Sequence, residues 1–173
     1  MNTLSFLPNQ ELLQSIKFQH QLPIIFIFPT LNLKKNKEEA MRDISYVTII
    51  KSLLTDHYKE RYTHENSQYI LVNIFHEPLR NAMEYGNKFD RNSHVAVALW
   101  MGEKGVLFAF RDIGDYFSKE SVKNLYESRS HIKSTRTTEI GGAGTRCLYD
   151  QAEDIINSTE ENTLYVSYLL KDS

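Results

Sequence analysis

Cysteine is almost absent from this chain of 173 residues. Cys147 stands alone, which excludes an internal disulfide framework and any zinc site built on several thiolates. In its helical, apolar setting it reads as a small core residue rather than a nucleophile. Long apolar runs are lacking as well: none approaches the ~20 residues that a membrane span needs. The opening Met1-Asn2-Thr3-Leu4-Ser5-Phe6-Leu7-Pro8 has neither the basic segment nor the long apolar core of a signal peptide, so a cytoplasmic protein is the expectation. Nor does one sign of charge dominate. A formal net charge of −2 creates no field that would favour nucleic acid or an anionic membrane, and partners must be recognised locally. Internal repeats, low-complexity tracts and Pro/Gly/Ser linkers are all missing, and a chain of this length suits one domain with a real core.

What is present is ordinary globular usage, 41% hydrophobic and 24% charged residues. Residues 9–18 read as a short helix with Leu12, Leu13 and Ile16 as its apolar stripe, and residues 1–22 form a helical extension to a domain spanning 23–173. Pro23 to Pro29 encloses an apolar run that reads as an edge strand. From Lys37 to about His57, Ala40, Ile44, Val47, Ile50, Leu53 and Leu54 recur at helical spacing. The pattern returns from Ser67 to Tyr85 and stops at Gly86-Asn87. Two β-rich runs, 95–101 and 106–111, flank a four-residue connection with two glycines and read as a hairpin. Residues 117–140 make a long charged connector. A helix from Thr145 to about Ile156 and a strand from Thr163 to Lys171 close the chain. The order predicts an α/β sandwich of the α+β kind, with helices layered on one face of a mixed, mostly antiparallel sheet.

The chemistry concentrates on Glu77 and Asn81. Four residues apart on one helix, they emerge from the same face. A carboxylate there can orient or deprotonate a hydroxyl, while a carboxamide offers a neutral oxygen to a hard cation such as Mg²⁺. Alone, the pair is a common sight on solvated helices. Asp112, just past a strand, is by itself a turn residue, and Gly141, Gly142 and Gly144 are by themselves a flexible helix entry. Their joint order is what points to a nucleotide.

Glu77-Pro78-Leu79-Arg80-Asn81-Ala82 with Tyr85-Gly86-Asn87 resembles the N box of the GHKL ATPases, which share the Bergerat fold. Asp112-Ile113-Gly114 resembles their G1 box and Gly142-Ala143-Gly144-Thr145 their G2 box, so the likeness runs from about Lys37 to Lys171. Size and the compact segment between the G boxes bring the chain nearest to the small stand-alone anti-sigma-factor serine kinases. That resemblance implies a histidine-kinase-like ATPase domain binding ATP or ADP with Mg²⁺. Asn81 would hold the metal. Glu77 would act as general base toward a serine or threonine of a protein partner, itself a regulatory or sigma-factor-like protein. Asp112 would accept a hydrogen bond from the adenine amino group, and Gly114 would let the backbone pass the base. The N–H groups of Gly142, Gly144 and Thr145 would meet the phosphates, and Thr163 would match a threonine lining the adenine pocket.

Two departures bear on these roles. Tyr116 stands where the G1 box carries a second glycine, a place from which it packs over the nucleotide or occludes it. Pro78, lacking an N–H, predicts a kink beside Glu77. A non-catalytic module that holds a partner with nucleotide as ligand or switch therefore stands beside the kinase reading, and pairing of two copies through residues 1–22 is open. Other constellations fail. His76-Glu77-Pro78-Leu79-Arg80 is not a zinc-protease motif, since Arg80 occupies the second histidine's place, and the remaining histidines show no metal spacing. Trp100, Phe108 and Phe110 have no accompanying basic stripe and read as core.

Overall fold

The computed structural model describes residues 6–8, 10–18, 22–31, 37–112, 148, 151–158 and 162–171. Five strands form one sheet: β1 (Ile24–Pro29), β2 (His94–Met101), β3 (Gly105–Arg111), β4 (Ile155–Ser158) and β5 (Thr163–Leu169). Their order is β1-β2-β3-β5-β4, and every pairing is antiparallel. The proline-bounded β1 lies at an edge, where its missing donors cost nothing. β2 and β3 form the expected hairpin, with Ala98 opposite Ala109 and Leu99 opposite Phe108.

Both central strands are apolar on both sides, so both faces of the sheet need cover. Val95, Val97, Leu99, Val106, Phe108, Phe110, Leu164, Val166 and Tyr168 face the front core. Helix α2 (Lys37–Tyr58) and a long composite helix, residues 64–86, lie against them. The back face is smaller: Ala96, Ala98, Trp100, Leu107, Ala109 and Tyr165 pack beneath α1 (Gln10–Ser15), which delivers Leu12, with Ile16 just after it. The larger helices thus share one face as expected, and α1 takes the other.

The inward stripe of α2 runs through Tyr46 and Val47 to Ile50, Leu54 and Tyr58. Ile44, expected in that stripe, is exposed, and its neighbour Asp43 turns inward instead. A second difference concerns the end of the chain. The helix expected to reach Ile156 closes earlier, with Ala152 N–H donating to Leu148 O, and Ile155–Ser158 is strand β4. The paired β-branched Ile155 and Ile156 sit opposite Val166 and Tyr165, so ladder pairing with β5 outweighs continuation of the helix.

Candidate functional site

The composite helix begins on Thr63, whose hydroxyl caps the N–H of Asn66, and runs as α3 (His64–Gln68), a π-helical stretch Tyr69–His76, α4 (Glu77–Asn81) and a π-helical close Ala82–Gly86. Ile70, Leu71, Ile74, Phe75, Leu79, Ala82 and Met83 anchor it in the front core. Pro78 does not break it. His76 and Glu77 keep helical dihedrals (φ −69°, ψ −42° and φ −64°, ψ −48°), and the Glu77 N–H donates to Val72 O, five residues back. A change of hydrogen-bond register in the turn leading up to Pro78 accommodates the proline within the helix, and π-type turns of this kind recur at functional sites.

Between the two widened stretches, α4 is a regular turn that keeps Glu77 and Asn81 one turn apart. Glu77 is half-buried, while Asn81 is 9% exposed, so a carboxylate and a largely buried carboxamide lie one turn apart on the helix.

The same helix ends against Asp112. Gly86 lies roughly 7 Å along the axis from Asn81 at helical rise. A methyl group on Gly86 would stand 2.1 Å from Asp112 Oδ2. Asp112, 5% exposed, follows β3 on the side of Phe108 and Phe110, the side that bears the composite helix. Asn162, immediately before β5, donates from Nδ2 to the Asp112 main-chain oxygen at 3.1 Å and to Oδ1 at 3.3 Å. The structure therefore brings Glu77, Asn81 and Asp112 onto one helix and the strand end beside it.

Thr163 does not join them. It alternates with Leu164 on β5 and shares the back side with Tyr165. There its Oγ1 accepts from Arg111 Nε at 2.8 Å, and the Arg111 guanidinium lies 4.5 Å over the Phe6 ring. Side chains alternate from face to face along a strand, so Thr163 lies on the face opposite Leu164 although it opens the last strand as expected. Gly114, Gly142, Gly144 and Thr145, with Tyr116, lie outside the described residues.

No motif or periodicity singles out Asp43. Its Oδ2 lies 2.6 Å from His76 Nε2, directly before Glu77, so a buried carboxylate on α2 holds the ring that precedes the candidate base. The turn after Gly86 is equally tied. Buried Asn87 donates from Nδ2 to Thr30 Oγ1 at 2.7 Å and to His94 O at 3.0 Å, and Phe89 N–H reaches back to Met83 O. Hydrogen bonds from the Asn92 N–H and the Ser93 hydroxyl hold the exposed Asp90 carboxyl below its usual range. Among the described residues, no group of three or more His, Cys, Asp and Glu side chains could hold a metal ion, and no helix is long and apolar enough to cross a membrane. No protein-family model matches the sequence, and no curated protein matches it either.

Proposed function

We propose that this chain is a Bergerat-fold, adenine-nucleotide-binding regulatory protein that uses Mg-ATP to phosphorylate a serine or threonine of a protein partner in the cytoplasm. The observation that carries the reading is the closeness of Gly86 and Asp112 at the end of the helix bearing Glu77 and Asn81. Residues from two separate sequence motifs, Glu77 and Asn81 from one and Asp112 from the other, thereby share one side of the sheet, and the glycine leaves room for a carboxylate at the foot of a site.

The residues present fit the group they would hold. Asn81 offers a neutral oxygen suited to Mg²⁺, which prefers hard ligands and keeps several waters. Asp112 offers an acceptor to an exocyclic amino group and repels a carbonyl in the same place, which favours adenine over guanine. Bound Mg-ATP would supply a phosphoryl group whose transfer depends on positioning and charge neutralisation. Glu77 would take the proton of the attacking hydroxyl, and the absence of a break at Pro78 keeps it in line with Asn81.

The test is calorimetric titration of the whole chain with ATP and ADP, with and without Mg²⁺, followed by phosphotransfer to a candidate regulatory protein. Binding in the micromolar range is expected. Asp112→Asn should weaken it at least about tenfold, the worth of one hydrogen bond to a charged group. Asn81→Ala should remove the dependence on metal. If adenine nucleotides fail to bind at millimolar concentration, the reading is wrong. Binding with phosphotransfer unchanged by Glu77→Ala would reject the assigned base, and binding without any transfer would leave a nucleotide-dependent partner-binding module.

A further inference from the structure

Asp112 is held from two sides by residues that have no part in the sequence motifs' chemistry as read above. Gly86 supports it from the helix. A Cβ there would lie 2.1 Å from Oδ2, 2.3 Å from the carboxyl carbon and 2.8 Å from Oδ1, all well inside contact distance, so the carboxylate can occupy its position only because residue 86 has no side chain. Asn162 supports it from the sheet. One amide nitrogen bridges the main-chain oxygen and Oδ1 of the same aspartate, and that pair of bonds ties the Asp112 side chain to its own backbone. Asn162 reaches this place in the left-handed region, at φ 47°, which asparagine tolerates better than most residues.

A carboxylate discriminates an amino group from a carbonyl only if its acceptor lone pairs are aimed at that edge of the base. We infer that Gly86 and Asn162 are specificity-determining positioning residues: together they orient the Asp112 carboxylate and so set the preference for adenine over guanine. This inference rests on the nucleotide reading above and adds to it the two residues on which base selection depends. Both would act through Asp112.

The experiment compares ATP and GTP affinities of the full-length wild type, Gly86→Ala and Asn162→Gly at saturating Mg²⁺. Glycine at 162 keeps the left-handed backbone and deletes only the amide, so this variant remains informative if Gly86→Ala fails to fold. For Asn162→Gly, ATP affinity should fall about tenfold, the scale of one charge-assisted hydrogen bond, with GTP affinity unaffected. Gly86→Ala should lower the ATP to GTP ratio further, because the carboxylate must move rather than merely loosen. The metal dependence set by Asn81 should persist in both. Parallel loss of both nucleotides would indicate a structural role only and overturn the inference. So would a ratio unchanged in folded variants of a wild type that prefers ATP, and that result leaves the nucleotide reading standing. A wild type that binds neither nucleotide removes both.

Discussion

The two faces of the sheet are built from alternate residues of the same strands, yet they differ in almost every respect. In front, Phe75 of the composite helix sits 5.5 Å from Phe108, 6.0 Å from Phe28 and 6.3 Å from Phe110, ring centre to ring centre, in the deepest part of the core. Behind, Ala96, Ala98 and Ala109 leave shallow relief beside Trp100, Leu107 and Tyr165, and among the described residues the six-residue α1, with Ile16 after it and Phe6 set edge-on to Trp100, packs there. Large side chains in front hold a long helix rigidly by interlocking, and that helix carries Glu77 and Asn81. The three alanines behind leave room for a short helix between the larger Trp100, Leu107 and Tyr165. The candidate chemistry follows the same division, since Asp112 lies on the front alternation while Arg111 and Thr163 belong to the back.

The layers meet at the hairpin between β2 and β3. From the front, the Tyr58 hydroxyl at the end of α2 reaches the carbonyls of Gly102 and Gly105. From the back, Ile16 O and Lys17 O accept the N–H groups of Lys104 and Glu103. If the front face provides most of the stability, Phe75→Ala should be the most damaging single change, costing about 3–5 kcal/mol, as expected for a fully buried aromatic. Urea unfolding monitored through Trp100, which lies on the opposite face, measures it. A loss well under 1 kcal/mol would mean that the two layers are not ranked as described.

The back layer has its own weak point. A methyl on Gly102 would lie 2.0 Å from Ile16 O, so Gly102→Ala should push the end of α1 off the hairpin. The cost should be on the order of 2 kcal/mol, typical of overpacking that the backbone must absorb. Amide exchange should quicken in α1 and at Glu103 and Lys104, while the composite helix stays protected. Uniform exchange across both faces would contradict their separateness.

Sequence periodicity captured the elements whose apolar residues serve one purpose. α1, α2, the hairpin and β5 all follow from it, because the 3.6- and two-residue repeats reflect burial directly. It failed where a polar residue took a buried position. Asp43 displaced Ile44 from the inward stripe because its carboxylate meets His76, a contact between residues 33 positions apart that no local pattern encodes. It also failed at Ile155 and Ile156, where two branched residues fit a helix end or an edge strand equally well and only β5 decides. The site divides in the same manner. Glu77, Asn81 and Asp112 were legible as residue types at spacings that suit phosphate and base recognition. The roles of Gly86 and Asn162 were not, for they consist of the space one leaves and the direction the other aims, and both depend on the strand and helix ends meeting.

The smallest effect distinguishes the two grips on the hairpin by pH. Burial pushes the Tyr58 phenol up, because a phenolate would lose its hydration there, opposed in part by the nearby Arg61 charge; the same hydroxyl donates to the Gly102 and Gly105 carbonyls. A phenol whose folded value lies above its unfolded value of about 10 contributes stability that is complete below that pH and declines above it, as the unfolded chain alone ionises. Tyr58→Phe should cost about 1–2 kcal/mol near neutrality by removing one buried donor. The deficit relative to wild type should then narrow as the pH rises above 10, since phenylalanine has nothing to ionise. Tyr62 and Tyr168, also raised by burial, are present in both proteins and cancel in the difference. A deficit that stays constant from pH 8 to about 11 would show that the hydroxyl is not held by the hairpin, leaving the back-face carbonyls of Ile16 and Lys17 as its principal clamp.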